Sequence, residues 1–226
     1  MPAGTGTEIM SSIINTVAKN MKSRCIIISG GAYDIIPELR DGDYVIACDK
    51  GYEYAKRSGI RPDIVIADFD SYDGLVDITI PVLKYPTEKD DTDTMAAVKY
   101  AVNNGFSEIV LCCAQGGRAD HAFANIQSCA YAVNRGLKVT VFSSDNETVF
   151  LKDGVTEISK KPGCALSVFS FTDRSEGVDI LGAKYEVKDA VVVNSFPVGV
   201  SNEWRQDSVK IAVKSGILMI VTSRIK

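Results

Sequence analysis

The hydrophobic positions divide the chain into two parts with different periodicities. From residue 24 to about residue 145, short continuous apolar runs alternate with stretches in which apolar residues recur every three or four positions. Continuous runs are typical of strands covered on both faces, and the longer spacing is typical of amphipathic helices. The strand-like runs are CIIIS, YVIAC, IVIA, EIVLCCA and KVTVFS, and the helical stretches are GYEYAKRSG, TDTMAAVKYAVNNG and ADHAFANIQSCAYAVNRG. This alternation predicts an α/β domain over residues 24–145, with a doubly wound, mainly parallel sheet.

The pattern changes after about residue 146, where short β-rich segments are separated by Gly, Pro and Asp. These segments are TVFLKDG, TEISKKPG, CALSVFSFT, GVDILGAKYEV, AVVVNSF, VKIAVKSG and ILMIVTSRI. They predict an antiparallel sandwich or barrel over residues 146–226. Residues 1–23 precede both patterns, and we expect an N-terminal extension there with a short helix over residues 13–20.

Composition narrows the class of protein. With 46% hydrophobic and 24% charged residues, the chain is expected to bury a globular core. A net charge of −4 and a pI near 5.1 disfavour a nucleic-acid binder, which needs a basic face. No apolar run reaches the roughly 20 residues that span a bilayer, so no membrane segment is expected.

The six cysteines show no C-x-x-C spacing, and several lie within apolar runs. They are interpreted as reduced core residues of a cytoplasmic protein. The N-terminal segment also lacks the compact apolar region of a secretory signal.

Candidate chemistry lies directly after the predicted strands, because ligands of an open α/β sheet bind beyond the carboxyl ends of its strands. The residues after the strands are Gly30 and Gly31, then Asp49, then Asp68 and Asp70, and finally Gly116, Gly117, Arg118, Asp120 and His121. Asp90, Asp91 and Asp93 come directly before the next predicted helix. Separate loops thus bring carboxylates and glycines to one edge of the sheet.

The two aspartates of DFDS indicate a cation. In an extended chain, Asp68 and Asp70 point the same way while Phe69 points back toward the core. Two carboxylates so close are costly without a cation between them. The alternative is a helix cap or a solvated turn, which needs only one aspartate.

The segment KDDTDT combines a helix start with further carboxylates. Acidic residues and threonine are favourable at a helix N-terminus, so capping explains part of the pattern. Three aspartates in four positions exceed what a cap requires, and Asp90 and Asp93 could share one face. Oxygen-only ligation without clustered His or Cys suits Mg²⁺, which completes its shell with water and substrate phosphates.

The segment QGGRADH has features of an anion site. Gly116 and Gly117 allow close approach of the backbone to a ligand, the helix start attracts anions, and Arg118 is a forked phosphate donor. A plain tight turn is the alternative. His121, the single histidine, is more often structural than catalytic in such a position. The chain has no G-x-x-x-x-G-K-[ST] or G-x-G-x-x-G motif.

Four motifs together resemble the thiamine pyrophosphokinase family: DFDS at 68–71, DDTD at 90–93, GGRADH at 116–121 and GVSNE at 199–203. The match runs from about residue 24 to the C-terminus. The resemblance implies a transferase that moves a pyrophosphoryl group from Mg-ATP to the hydroxyethyl group of thiamine, giving thiamine diphosphate and AMP. It also implies an α/β domain followed by a β-sandwich, and a homodimer whose two sites are shared between subunits.

The resemblance assigns roles residue by residue. It implies metal binding by Asp68, Asp70 and Asp93, ATP and phosphate binding by Gly30, Gly31, Asp49, Asp90, Gly116, Gly117 and Arg118, catalysis by Asp70, Arg118 and Asp120, and thiamine binding by Ser201 and Asn202. Either Asp70 or Asp120 would accept the proton of the thiamine hydroxyl. Trp204, which follows this loop, could stack on thiamine or serve only in packing.

Two positions depart from the family pattern. Ala67 replaces the glycine usual before DFDS, and Lys50 lies where the family tends to have glycine, so its side chain either contacts a phosphate or points to solvent. Two alternative functions stay open at this point. One is a pyrophosphokinase acting on another hydroxymethyl heterocycle such as a pterin, and the other is a non-catalytic, nucleotide-sensing regulator.

Overall fold

A computed structural model of the chain describes residues 22–67, 76–84 and 91–225, with side chains from Arg24 onward. The predicted N-terminal extension with its helix lies outside the described residues, as do Asp68, Asp70 and Asp90. The strands are β1 (Lys22–Ile28), β2 (Tyr44–Cys48), β3 (Ile64–Ala67), β4 (Val82–Lys84), β5 (Phe106–Cys112), β6 (Lys138–Phe142), β7 (Asn146–Ser159), β8 (Cys164–Ser170), β9 (Arg174–Leu181), β10 (Val187–Val193) and β11 (Ser208–Arg224). The helices are α1 (Gly51–Arg57), α2 (Asp93–Asn103) and α3 (Ala119–Val133).

The first part of the described chain is a parallel sheet in the order β4-β3-β2-β1-β5-β6. Its inner strands β1, β2 and β3 are buried on both faces, as the continuous apolar runs predicted. Ile27 packs with α2 and α3 on one face, and Ile26 and Ile28 pack with α1 on the other. The predicted doubly wound fold is therefore confirmed.

Helices α2 and α3 each bury one stripe against the sheet. In α2 the stripe includes Ala97 and Ala101, and in α3 it includes Asn125, Cys129 and Ala132. These intervals of three and four are the ones that predicted amphipathic helices. The longest described helix has 15 residues, and none has both the length and the apolarity needed to span a bilayer.

The second part is an antiparallel arrangement joined to the first by hydrogen bonds. Strand β7 pairs antiparallel with β6, so the parallel sheet continues directly into the second part. Strand β11 pairs with β7 along most of its length, with β9 through its first half and with β8 through its second half. Its core includes Leu166, Val178, Ile211 and Leu218. The predicted β-sandwich after the α/β part is thereby confirmed.

Two predicted breaks in the second part are wrong. The turn-like residues KDG and KSG lie inside the long strands β7 and β11. There the register between the strands shifts between Val213 and Ile217, and the Gly216 N–H donates to Asp153 Oδ1 at 2.9 Å. A bulge at this point bends both strands without ending them. The short edge strand β4 also has no counterpart among the predicted strands.

A buried ion pair ties the start of β1 to the start of β2. The Arg24 guanidinium donates to both carboxylate oxygens of Asp43, at 2.9 and 2.5 Å, and both side chains are at most 7% exposed. The Arg40 N–H donates to the same carboxylate. The hydrogen bond from Arg24 is the main reason that the pKa of Asp43 lies below its ordinary value of 3.8.

We expect Asp43→Asn to lower the free energy of unfolding by about 3 kcal/mol, because a buried Arg24 loses its counter-charge. The contribution of Asp43 is fully present above its unfolded pKa and disappears as the pH falls through the lowered folded pKa. Urea unfolding of the variant should therefore depend less on pH below about 4 than unfolding of the native chain. Asp189→Asn, which breaks an exposed ion pair with Lys214, is the control and should behave as native. Equal stability of native chain and Asp43→Asn would contradict the assignment.

Candidate active site

A cleft of about 590 Å³ opens beyond the carboxyl ends of β1, β2 and β5. This is the point where the strand order reverses, because β1 lies between β2 on one side and β5 on the other. Ligands of doubly wound sheets bind at such a switch point. The cleft is lined by Ser29, Gly30, Gly31, Ala32, Cys48, Asp49, Lys50, Asp91, Thr92, Asp93, Thr94, Gly116, Gly117, Arg118, His121 and Asn125.

The loops after β1 and β5 form the floor of the cleft by pairing with each other. The Gly31 N–H donates to the Cys113 carbonyl at 2.8 Å, and the Ala32 N–H donates to the Gln115 carbonyl at 3.0 Å. A Cβ at Gly31 would lie 2.6 Å from the Cys113 oxygen, so only glycine fits there without movement of the backbone. The carbonyl of Gly31 also accepts the Tyr54 hydroxyl at 2.8 Å.

Gly116 brings the second loop against the first. Its φ is +78°, and a Cβ there would lie 2.7 Å from the Ala32 Cβ. Both the conformation and the space therefore require glycine. The loop then enters α3, whose N-terminal end faces the cleft and can attract an anion.

A buried polar network below the cleft fixes the loops to the helices. The Ser29 and Thr94 hydroxyls are 2.7 Å apart, and the Asn125 amide donates to the Ala114 carbonyl at 2.8 Å and to Ser29 Oγ at 3.4 Å. Each of the three residues is at most 5% exposed. Sequence reasoning missed them, although Asn125 falls on the same helical stripe as Cys129 and Ala132, where a polar residue needs a buried partner.

Arg118 and Asp120 form an exposed, forked ion pair at the start of α3. Two guanidinium nitrogens donate to the two carboxylate oxygens at 3.2 and 2.6 Å, with side chains 72% and 62% exposed. The hydrogen bonds raise the pKa of Arg118 and lower the pKa of Asp120. Arg118 lines the cleft. Asp120 binds the Arg118 guanidinium and does not itself line the cleft.

The described carboxylates of the cleft come from two of its walls. Asp49 follows β2 in the left-handed region, with φ +47°, and Asp93 begins α2 after the cap residue Thr92. Asp91 forms an ion pair with Lys99 at 2.6 Å. Within the described ranges, no group of three or more His, Cys, Asp or Glu is arranged to hold a metal. Three of the predicted aspartates, Asp68, Asp70 and Asp90, lie outside those ranges.

The loop GVSNEW at 199–204 lies against β8. The Leu166 N–H donates to the Asn202 carbonyl at 2.9 Å, and the Asn202 N–H donates to the Leu166 carbonyl at 2.7 Å. The Asn202 side chain is buried and engages both the N–H and the carbonyl of Tyr185. Ser201 is exposed with φ +56°, and its N–H donates to Ser167 Oγ.

Trp204 lies in the core of the sandwich. It is 8% exposed, packs among residues such as Leu166 and Ile211, and donates its indole N–H to the Ile158 carbonyl at 3.1 Å. Of the two roles that the sequence left open for Trp204, this placement favours packing over stacking on a ligand.

The structure thus brings together seven of the predicted residues in one cleft: Gly30, Gly31, Asp49, Asp93, Gly116, Gly117 and Arg118. Asp120 lies beside them through its ion pair. Ser201, Asn202 and Trp204 belong to the second part of the fold and do not line this cleft. An anion-attracting cleft at the switch point of a doubly wound sheet, followed by a β-sandwich, defines the class as a nucleotide-binding α/β protein with an appended β part.

Comparisons with known proteins give the family. Two family models match the chain: the catalytic domain of thiamin pyrophosphokinase over residues 37–141, and its vitamin B1 binding domain over residues 155–218. Together these ranges cover most of the chain, which therefore belongs to the thiamine pyrophosphokinase family. The predicted activity, pyrophosphoryl transfer from ATP to thiamine, is confirmed by this membership, and the matches do not support the two alternative functions.

Individual relatives agree with this assignment. Thiamine pyrophosphokinase of Bacillus subtilis is 27% identical over 207 residues, which cover 87% of this chain and 97% of the relative. The crystal structure of a Bacillus subtilis thiamine pyrophosphokinase has the same fold, with a TM-score of 0.80, 24% identity, and coverage of 91% of this chain and all of the other. Yeast thiamin pyrophosphokinase superposes with a TM-score of 0.70 at 17% identity, covering 90% of this chain and 87% of the other.

We expect Gly31→Ala to lower the melting temperature, because the added Cβ meets the Cys113 and Gln115 carbonyls and breaks the floor of the cleft. Gly30→Ala is the matched control. A Cβ at Gly30 would lie no closer than 3.5 Å to another group of the chain, so thermal unfolding should be close to native. Equal melting temperatures for the two variants would show that the two loops are not tightly held together.

Proposed function

We propose that the cleft binds Mg-ATP through its phosphate chain and presents the β-phosphorus to the hydroxyl of thiamine. The hydroxyl oxygen forms the new bond to the β-phosphorus, and the bond from that phosphorus to the oxygen of the α-phosphate breaks, so that AMP leaves. The observation that carries this proposal is the convergence of two glycine loops, helix N-termini and carboxylates at the strand switch point. Catalysis of this kind rests on positioning and charge neutralisation.

The carboxylates suit a magnesium ion. Asp93 offers an oxygen ligand in the cleft beside the glycine loops, and Mg²⁺ usually takes one or two carboxylates together with substrate phosphates. We assign Asp68, Asp70 and Asp93 as the residues that would hold the magnesium ion. We assign Asp49 and Asp90 to the part of the site that binds the phosphates of ATP. When bound, the ion would neutralise charge on the phosphate oxygens.

Arg118 would bind the transferring group through its guanidinium. Asp120 forms an ion pair with this guanidinium, and the hydrogen bonds of the pair lower the pKa of Asp120. Either Asp70 or Asp120 would accept the proton of the thiamine hydroxyl. Gly30, Gly31, Gly116 and Gly117 would contribute the close backbone approach that phosphate oxygens need.

The thiamine side of the site would be the loop around Ser201. Ser201 is exposed and can contact a ligand. The Asn202 amide is hydrogen-bonded to the Tyr185 backbone and stabilises the loop. Trp204 would support the loop from the sandwich core. Since this loop does not line the cleft of its own chain, a shared site requires a second subunit.

A homodimer is further supported by apolar side chains next to this loop. Phe196, Val198 and Val200 are 65%, 60% and 51% exposed. An exposed apolar patch of this kind is typical of an interaction surface. We propose that it packs against the α/β part of a partner subunit, close to the partner's cleft.

The remaining assignments follow from the chain's organisation. We propose residues 24–145 as the catalytic domain, residues 146–226 as the thiamine-binding domain and residues 1–23 as an extension. The six cysteines are free thiols, five of them buried, which suits the reducing cytoplasm.

The proposal is tested by incubating the chain with ATP, Mg²⁺ and an acceptor, and measuring AMP. AMP release is expected with thiamine and not with hydroxymethylpterin. Release with the pterin alone would move the acceptor assignment to that class. Release with neither would leave a nucleotide-binding regulator as the better description.

Asp93→Asn should reduce turnover at least about 100-fold while preserving the fold, because a metal ligand contributes more than the 10- to 100-fold typical of outer-shell partners. AMP release at saturating Mg²⁺ and circular dichroism are the measurements. Glu53→Gln, which removes a carboxylate from the first turn of α1, is the matched control. Native turnover in Asp93→Asn would remove Asp93 from the metal site.

Phe196→Asp should convert the protein to a monomer, because a charge would replace an apolar side chain at the proposed interface. Sedimentation velocity measures the change, and turnover should fall with dimer content. Val155→Asp adds the same charge to a residue that is 60% exposed on β7 and should leave the dimer intact. A Phe196→Asp variant that remains dimeric would place the interface elsewhere.

A further inference from the structure

Lys50 lines the nucleotide cleft between the end of β2 and the start of α1. We propose that its ammonium group binds the phosphate chain of the nucleotide, which makes Lys50 a substrate-binding residue of this chain. The inference rests on the proposed function of the cleft.

The backbone at Lys50 is held firmly. The preceding Asp49 donates its N–H to the Ile66 carbonyl at 3.2 Å, and the Lys50 carbonyl accepts the Glu53 N–H at 3.0 Å. A Cβ at Gly51 would lie only 2.0 Å from the Ile28 carbonyl oxygen, so the turn sits directly on the end of β1. The position of the Lys50 Cα and Cβ atoms at the edge of the cleft is therefore set by the backbone.

The side chain begins beside the glycine floor. A Cβ built at Gly30 would lie 3.5 Å from the Lys50 Cβ, which is an ordinary contact distance. A lysine carries its charge on a flexible four-carbon stem, so the ammonium can extend toward an anion bound on the adjacent Gly30. Glycine at residue 30 leaves the space between the floor and this stem open.

Lys50 and Arg118 both line the cleft with a cationic side chain, and they differ in their ion pairs. Arg118 is paired with Asp120, and the lining carboxylate Asp91 is paired with Lys99. In the described part of the chain Lys50 forms no ion pair, although it is exposed and lines the cleft together with Asp49 and Asp93. A nucleotide triphosphate is the anion that the cleft is proposed to bind, and the ammonium group of Lys50 is available to pair with its phosphates.

The test is calorimetric titration with Mg²⁺ and α,β-methylene-ATP, an analogue whose α–β bridge resists transfer. Lys50→Gln should weaken binding roughly tenfold or more, since a hydrogen bond to a charged group contributes at least the free energy of one decade in affinity. The loss should be smaller for AMP, absent for adenosine, and reduced at high salt. Lys50→Arg should retain most of the affinity.

Lys56→Gln is the matched control, because Lys56 is exposed near the other end of α1 and does not line this cleft. Its affinity should equal that of the native chain. Native binding of the triphosphate together with unchanged affinity in Lys50→Gln would overturn the inference and show that the lysine only faces solvent. Failure of the native chain to bind the analogue would overturn the proposed nucleotide site, and the role of Lys50 with it.

Discussion

The cleft depends on hydrogen bonds that continue between the loops after β1 and β5 beyond the last residues of both strands. The N–H groups of Ser29, Gly31 and Ala32 donate in turn to the carbonyls of Cys112, Cys113 and Gln115. This backbone contact leaves no room for a side chain at Gly31 and sets where Gly116 meets Ala32. The floor for an anion is thus made mainly of backbone, whose position is determined by the sheet.

The polar network beneath the floor links this backbone to the helices. Thr94 and Asn125 come from α2 and α3, and both reach Ser29 at the end of β1. Because all three are buried, each hydrogen bond is costly to lose, and the helix starts cannot shift independently of the strand. The positions of Asp93 and Arg118 relative to each other therefore follow from packing below the cleft.

Most elements of the α/β part, though not the edge strand β4, could be predicted because their patterns are local. YVIAC and IVIA coincide with β2 and β3, and the three helical stretches predicted in this part lie within three residues of the observed bounds of α1, α2 and α3. The second part was harder, because Asp153-Gly154 and Ser215-Gly216 have turn-type sequences yet face each other across one bulge. Local propensity cannot reveal that two such sites compensate each other in paired strands.

The candidate site could be predicted as a set of loops but not as a set of contacts. Spacing after the strands located the glycines, Asp49, Asp93 and Arg118, because strand ends in a parallel sheet share one edge. The hydrogen bonds of the Asn202 amide to the Tyr185 backbone and the burial of Trp204 depend on residues distant in sequence. No local sequence pattern therefore predicts them. The hydrogen bonds from β6 to β7 have a further consequence, since they join the two parts into one sheet without an intervening hinge among the described residues. Fixing two loosely connected parts in a site shared between subunits would cost conformational entropy, and a continuous sheet within each subunit lowers that cost before any ligand arrives.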